Sequence, residues 1–326
     1  ANWETAAFIE WLKVFNENLP IDKKIGFYGL DVYSFNESMN SIIQFLEKND
    51  LKALAFAKTV QKCFEPYNKD EGRSYAKASS YIPEICEKEI IDLLTEIQKN
   101  IPNYNHDAEN VLSIEQNAFI ARNAEKYYRA MLKRSSASWN IRDEHMVSTI
   151  ARLMKFHGKN AKIIVWEHNT HIGDARATEM ANTGMLNVGQ LLREQHSSDG
   201  VVAVGFGSYK GSVIAGREWG DSMRKIKVPE AVQGSWEHSF HVAGNGKNKL
   251  LLMNKVKDEK CLLSYIAHRA IGVVYNPEHE RFGNYVPSIL PKRYDAFIFL
   301  DETNALHPML ICPDGNQIPE TYPFGM

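Results

Sequence analysis

Between Val165 and Met180 the chain reads Val-Trp-Glu-His-Asn-Thr-His-Ile-Gly-Asp-Ala-Arg-Ala-Thr-Glu-Met, which gathers Glu167, His168, Asn169, His171, Asp174 and Arg176 into ten residues. Histidine is the side chain whose unperturbed pKa, about 6.5, suits proton transfer near neutrality. Two histidines, two acids and an arginine at this density therefore point to catalysis or binding. The competing reading is a polar loop whose histidines bond neighbouring backbone while Asp174 caps a helix starting at Ala175. A metal reading also stands beside these. His168-x-x-His171 with Glu167 or Asp174 supplies ligand types that suit zinc, but a loop lacks the specificity of HExxH on a helix, and no cysteine lies nearby. A second pair, His238 and His241, repeats the spacing and adds Glu237; a helix opening at Ser235, with both histidines on its first turns, accounts for it without chemistry.

Ser138-Trp-Asn-Ile-Arg-Asp-Glu-His-Met146 is expected to open a helix running through Leu153, with Arg142 and Asp143 in its first turn. Asp143 offsets the helix dipole there and Arg142 does not. An arginine so placed is either held for another partner, such as a substrate oxyanion, or engaged in a surface ion pair. The chain has no G-x-S-x-G elbow and no P-loop, and no cofactor is expected. Gly205-Phe-Gly-Ser-Tyr-Lys-Gly211 leads into a β-like run and not into a helix, so it is expected to form a β-turn and not a dinucleotide loop. Gly158 is expected to cap a helix ending at His157.

The elements that must position these residues alternate between two textures. Short apolar runs at Ile25–Val32, Ala161–Trp166, Val201–Gly205, Ala270–Tyr275 and Tyr294–Leu300 look like strands covered on both faces. These predict a mainly parallel sheet flanked by helices, an α/β fold, with the motif after Trp166 at the carboxyl end of a strand, where ligands bind in such sheets. Ser38–Glu47, Glu87–Ile97 and Leu112–Leu132 instead carry apolar residues at helical spacing, with a break at Ile101-Pro-Asn-Tyr-Asn105. The expected layout is a core of residues 1–35 and 156–326 interrupted by a large α-helical insertion, 36–155.

Composition bounds the partners. With 326 residues, 44% hydrophobic and 24% charged, the chain can bury a sizeable core, and disorder, collagen and coiled coil are excluded. The 38 basic and 40 acidic residues give a net charge of −2, so no strong field recruits nucleic acid or an anionic membrane. No run approaches the roughly 18–20 apolar residues of a membrane span, and residues 1–12 do not read as a signal peptide, so none is expected here. Cys63, Cys86, Cys261 and Cys312 form no CxxC pair; their scatter predicts reduced thiols in a cytoplasmic setting.

Val165-Trp-Glu-His-Asn-Thr-His-Ile-Gly-Asp174, with Trp139-Asn-Ile-Arg-Asp-Glu-His-Met146 before it and Met185-Leu-Asn-Val-Gly-Gln190 after it, resembles the erythromycin esterase family. Phe27–Ser34, Cys63–Tyr67, Asn123–Arg129 and Gly234–Glu237 extend the likeness along nearly the whole chain, nearest to the family's uncharacterised bacterial branch. The resemblance implies an α/β core with a helical insertion. It also implies metal-independent hydrolysis of an ester or lactone, with a small-molecule substrate and a histidine as general base on water. On that pattern His168, His171 and Arg142 are the expected catalytic residues. Asp31 and Glu237, in two of the matching stretches, join Glu167, Asn169, Asp174 and Arg176 as expected substrate-binding residues. The family's proposed base lies in an N-terminal Glu-x-x-His-Gly motif that nothing here matches. That leaves three readings: a hydrolase, a non-catalytic or shortened binding protein that keeps the pocket, and a metal-dependent hydrolase using His168 and His171. A shortened sheet would leave an edge for a partner chain, as in a homo-oligomer.

Overall fold

The apolar spacing in the first half of the chain builds helices that bury one stripe each. The computed structural model describes residues 2–67, 72–82, 85–104, 108–133, 136–198, 200–218 and 221–309. In chain order the elements are α1 (Trp3–Glu17), α2 (Phe35–Asn49), α3 (Leu51–Phe64), α4 (Arg73–Ser79), α5 (Glu87–Asn100), α6 (Ala108–Met131), α7 (Ala137–His157), α8 (Asn169–Ile172), α9 (Val188–Gln195), β1 (Val204–Ala215), β2 (Arg224–Val228), α10 (Trp236–Gly244), β3 (Lys249–Leu252), β4 (Ile266–Arg269), α11 (Glu280–Gly283), β5 (Tyr285–Ser288), α12 (Leu290–Arg293) and β6 (Ala296–Thr303). Chain contacts divide them into two units, one of residues 1–29, 167–181 and 196–326, the other of 30–166 and 182–195.

The second unit is helical. Phe35, Met39, Ile42 and Leu46 of α2, and Ile90, Leu93, Leu94 and Ile97 of α5, fall at three- and four-residue spacing and are all buried in one core with residues of α3 and α6. Fully burying each such side chain stabilises by about 1.5–3 kcal/mol. Asp50 fixes where α3 begins: its Oδ1 accepts from the amides of Lys52 and Ala53, and its Oδ2 from Asn100 and the Tyr104 hydroxyl at the far end of α5. The predicted break near residue 101 is the single turn Ile101–Asn103; Asn105 lies outside the described residues. Helix α7 stops at His157, where Gly158 adopts a φ of 89° that glycine tolerates and other residues resist.

The cysteine expectation is corrected here. Cys63, at the end of α3, and Cys86, which precedes α5, form a disulfide with Cα atoms 6.0 Å apart. Separation along the chain does not report separation in space, and packing of α3 against α5 brings the two together. Cys261 is free and exposed, and Cys312 lies outside the described residues. Reducing this bond, which closes a loop with a sequence separation of 23, is expected to lower stability by about 3 kcal/mol. Urea unfolding with and without a phosphine reductant checks this, and a Cys63→Ser/Cys86→Ser double variant that is insensitive to reductant is the control.

In the first unit the sheet order is β2-β1-β6-β3. Strand β6 pairs parallel with β1, whereas β1–β2 and β3–β6 are antiparallel, as is the separate β4–β5 pair. The fold is mixed α/β, but the expectation of a mainly parallel sheet does not hold, because a buried apolar run specifies burial and neither partner nor direction. Of the predicted strands, those at 201–205 and 294–300 are the beginnings of β1 and β6. Residues 25–32 and 161–166 belong to no strand, and Ile164 and Trp166 are 95% and 75% exposed. Segment 270–275 makes only the isolated bridge of Val274 to Gly216. The predicted turn at 205–211 instead falls mostly in the first half of β1 and runs on without a break in one continuous strand of twelve residues. Its glycines answer a packing demand: a Cβ on Gly205 would stand 2.8 Å from the rings of Phe297 and Tyr294, and one on Gly207 2.7 Å from Phe297.

Candidate active site

Strand β2 covers β1 only from Gly211 to Ala215, so the preceding half of β1 has no strand on that side. Asn169 supplies the missing partner. Its Nδ2 donates to the Phe206 carbonyl at 2.5 Å and its Oδ1 accepts from the Phe206 amide at 3.1 Å, the two bonds a neighbouring strand would make. Asn169→Ala leaves both backbone groups without these bonds and is expected to cost about 1–3 kcal/mol. Asn169→Asp, which restores the acceptor but sets a carboxylate against the carbonyl, should do no better. Denaturant titration of both variants checks this, and near-wild-type stability of the alanine variant would remove Asn169 from the edge-sealing role.

His168 is spent on the same turn. As the N-cap of α8 its Nδ1 accepts from the Thr170 amide and lies 2.8 Å from Thr170 Oγ1, while Nε2 lies 3.0 Å from the Ile271 carbonyl. A carbonyl only accepts, so Nε2 carries the proton and the ring is neutral. Surrounding protein atoms lower its pKa to about 4, with the charges of His171 and Arg293 adding to the effect. The two ring hydrogen bonds hold this imidazole in its neutral form. The Nδ1 lone pair is taken by Thr170 and Nε2 is protonated toward the Ile271 carbonyl, so neither ring nitrogen is free to ligate and the His168/His171 metal site does not fit this geometry. Among the described residues no group of three or more His, Cys, Asp or Glu side chains could hold a metal ion.

Asp174 and Arg176 are held by each other. Arg176 Nε and Nη2 grip the two carboxylate oxygens at 3.0 and 2.7 Å, and Asp174 also accepts from the Arg176 amide as cap of the turn Ala175–Ala177, as the structural reading of Asp174 expected. Ser235 likewise caps α10, which places His238 and His241 on its first turns. His241 Nδ1 lies 2.6 Å from Asp301, and its ring stacks on Tyr209. Glu237 is fully buried, in contact with His268. Glu167 is partly buried where the chain enters α8. His171, in the middle of α8, is 6% exposed.

In the helical unit, α7 begins at Ala137, so Arg142 sits beyond the first turn, where the dipole has faded, and the dipole argument for it fails. The ion-pair alternative is what the structure shows. Nε and Nη2 bind Asp31 at 3.0 and 2.7 Å, and the guanidinium lies over the Tyr33 ring at 4.7 Å. Burial disfavours the Arg142 cation, but the hydrogen bonds and charge of Asp31 outweigh it and raise the pKa. The rest of the motif holds residues 184–188: Trp139 Nε1 donates to the Leu186 carbonyl, Asn140 bonds Gly184 and Leu186, and buried Asp143 accepts from the Val188 amide at the start of α9.

Sequence reasoning missed His268, Arg293 and Tyr294. His268 and Arg293 are fully buried and Tyr294 is 1% exposed. They come from two distant segments, and the available signal was a histidine and arginines inside otherwise apolar stretches, Ile266–Ile271 and Leu290–Leu300.

Three solved structures share this mixed α/β fold. A succinoglycan biosynthesis protein matches with a TM-score of 0.72 at 18% identity, covering 94% of this chain and 72% of its own. A Bacillus cereus protein matches at 0.74 and 18%, covering 94% and 73%. A mutant of erythromycin esterase EreC in its open conformation matches at 0.62 and 13%, covering 91% and 73%. The family model for erythromycin esterase matches residues 1–303, and the chain belongs to the erythromycin esterase family.

Proposed function

We infer that this protein is a hydrolase that adds water to the carbonyl of a small-molecule ester or lactone without a metal, with His171 moving the proton. The observation that carries the reading is how the other members of its motif are used. His168 caps the turn, Asn169 seals β1, and Asp174 and Arg176 hold one another, so all of them build the seat of one buried histidine. In the step assigned to it, His171 accepts a proton from water as the water oxygen bonds to the carbonyl carbon. The C–O bond to the alkoxy group then breaks, and the proton passes to the departing oxygen. Arg142 is held within the helical unit by its two bonds to Asp31, and no part in this step is assigned to it. Asp31 is assigned to holding Arg142 and not to touching substrate.

Incubation of the purified protein with macrolides and simple esters, with and without chelator, tests this. Gain of one water, insensitive to chelator, is expected. Chelator-sensitive turnover overturns the metal-independent mechanism, and absence of turnover across the panel overturns the hydrolase reading in favour of a binding protein. Among the described residues no helix is long and apolar enough to cross a membrane. The Cys63–Cys86 bond favours an oxidising compartment over the cytoplasm, which cell fractionation decides.

A further inference from the structure

Glu237 on α10, His268 on β4, Arg293 at the end of α12 and Tyr294 after it form a buried polar cluster under the α8 turn. Glu237, His268 and Arg293 have no exposed surface. Glu237 Oε1 lies 2.6 Å from His268 Nδ1 and accepts from the Arg269 amide, while Oε2 has no hydrogen-bond partner among the described residues. A carboxylate accepts, so Nδ1 carries the His268 proton and Nε2 faces the Tyr294 hydroxyl at 3.4 Å.

Arg293 makes no ion pair among the described residues. Its Nη1 donates to Ser288 Oγ at 2.7 Å and its Nη2 to the Asn169 carbonyl at 3.0 Å. The Arg293 carbonyl accepts from the Asp174 amide, so this one residue holds both ends of the segment that carries His171. The Tyr294 hydroxyl also reaches the Asn169 carbonyl, at 3.4 Å. The fit is close: a Cβ on Gly173 would stand 2.7 Å from Arg293 Nε and from Tyr294 Cε1. Burying a carboxylate and a guanidinium that do not pair is costly, and apolar side chains of similar volume would fill the space at less cost. The arrangement is explained by what it holds.

We propose that Glu237, His268, Arg293 and Tyr294 are positioning residues, a buried network that fixes the α8 turn and with it His171. Glu237 supplies the counter-charge that lets Arg293 stay buried and bound to the Asn169 carbonyl, and the His268–Tyr294 pair connects the two. This rests on the reading of His171 as the proton-transfer residue, but the structural role can be measured without turnover. Amide hydrogen exchange is followed by NMR in the wild type, E237Q and R293K. The wild type should show His268 as the Nδ1–H tautomer. The amides of His171, Ile172 and Gly173, which bond back to His168 and Asn169, should exchange about tenfold faster or more in both variants, with the β1–β6 amides unchanged. Unchanged exchange at those three amides overturns the proposal, as does a rise that the β1–β6 amides share. If E237Q does not fold, the tautomer in the wild type decides, and an Nε2–H tautomer overturns the network. Absence of ester turnover would sink the hydrolase reading and leave these results standing.

Discussion

His171→Ala is expected to lower turnover of any ester this protein hydrolyses by about 10²–10⁴-fold, the usual contribution of a positioned general acid or base. The substitution needs a companion because His171 is 6% exposed. Alanine removes the imidazole and also leaves a cavity in a turn held by Arg293 and Tyr294, so lost activity and lost stability would arrive together. His171→Gln fills most of the space and can still hydrogen-bond, but cannot take up a proton near neutrality. Both variants should therefore lose turnover to a similar degree, while the glutamine variant keeps a thermal midpoint within a few degrees of wild type. Glutamine restoring both stability and rate would make His171 a packing residue and remove the observation on which the hydrolytic mechanism rests. His168→Gln supplies the contrast. Since His168 acts through its hydrogen bonds to Thr170 and Ile271, its loss should disturb α8 and lower the rate less than loss of His171.

What the residues disclosed in advance follows a physical division. Helices α2 and α5 were legible because every buried position, Ile42 and Leu46 or Ile90, Leu93 and Ile97, contributes to one local period. The caps at Ser235 and Asp174 were legible for the same reason, since donor and acceptor lie within three residues. Strand pairing was not, because the run Ile163-Ile-Val165 is as apolar as any buried strand yet has no ladder partner here. Arg142 was misplaced because α7 starts about two residues earlier than expected, behind Ser136, whose side chain makes no cap bond. At the α8 turn the sequence located the cluster but not its division of labour. Nothing local says that Asn169 must reach β1, or that Arg293, more than a hundred residues on, holds the turn at both ends. The disulfide belongs with these, since only the packing of α3 against α5 brings Cys63 to Cys86.

Acidification should weaken the helical unit through His145. This residue on α7 is 2% exposed, with Asn123 Nδ2 2.8 Å from its Nδ1. Burial, with the charge of Arg152 acting in the same direction, lowers its pKa to about 4 against an opposing pull from Asp31. In the unfolded chain the ring titrates near 6.5. Between those values the unfolded state binds the proton and the folded state does not, so stability rises with pH through this window. The contribution is fully present above about pH 6.5 and declines as the pH falls, with a loss of roughly 3 kcal/mol by pH 4. His268, also lowered by burial, acts with the same sign in the other unit. Carboxylates protonating over part of the same range give slopes of the same direction, so the wild-type curve alone does not isolate the histidine. The difference between wild type and His145→Gln does. Glutamine does not titrate, so urea unfolding at pH 7, 5 and 4 should give the variant the shallower decline, with the gap between the two proteins narrowing by about 3 kcal/mol from pH 7 to pH 4. Parallel curves would mean that His145 is protonated in the folded state, and that the α6–α7 contact accommodates an imidazolium its burial argues against.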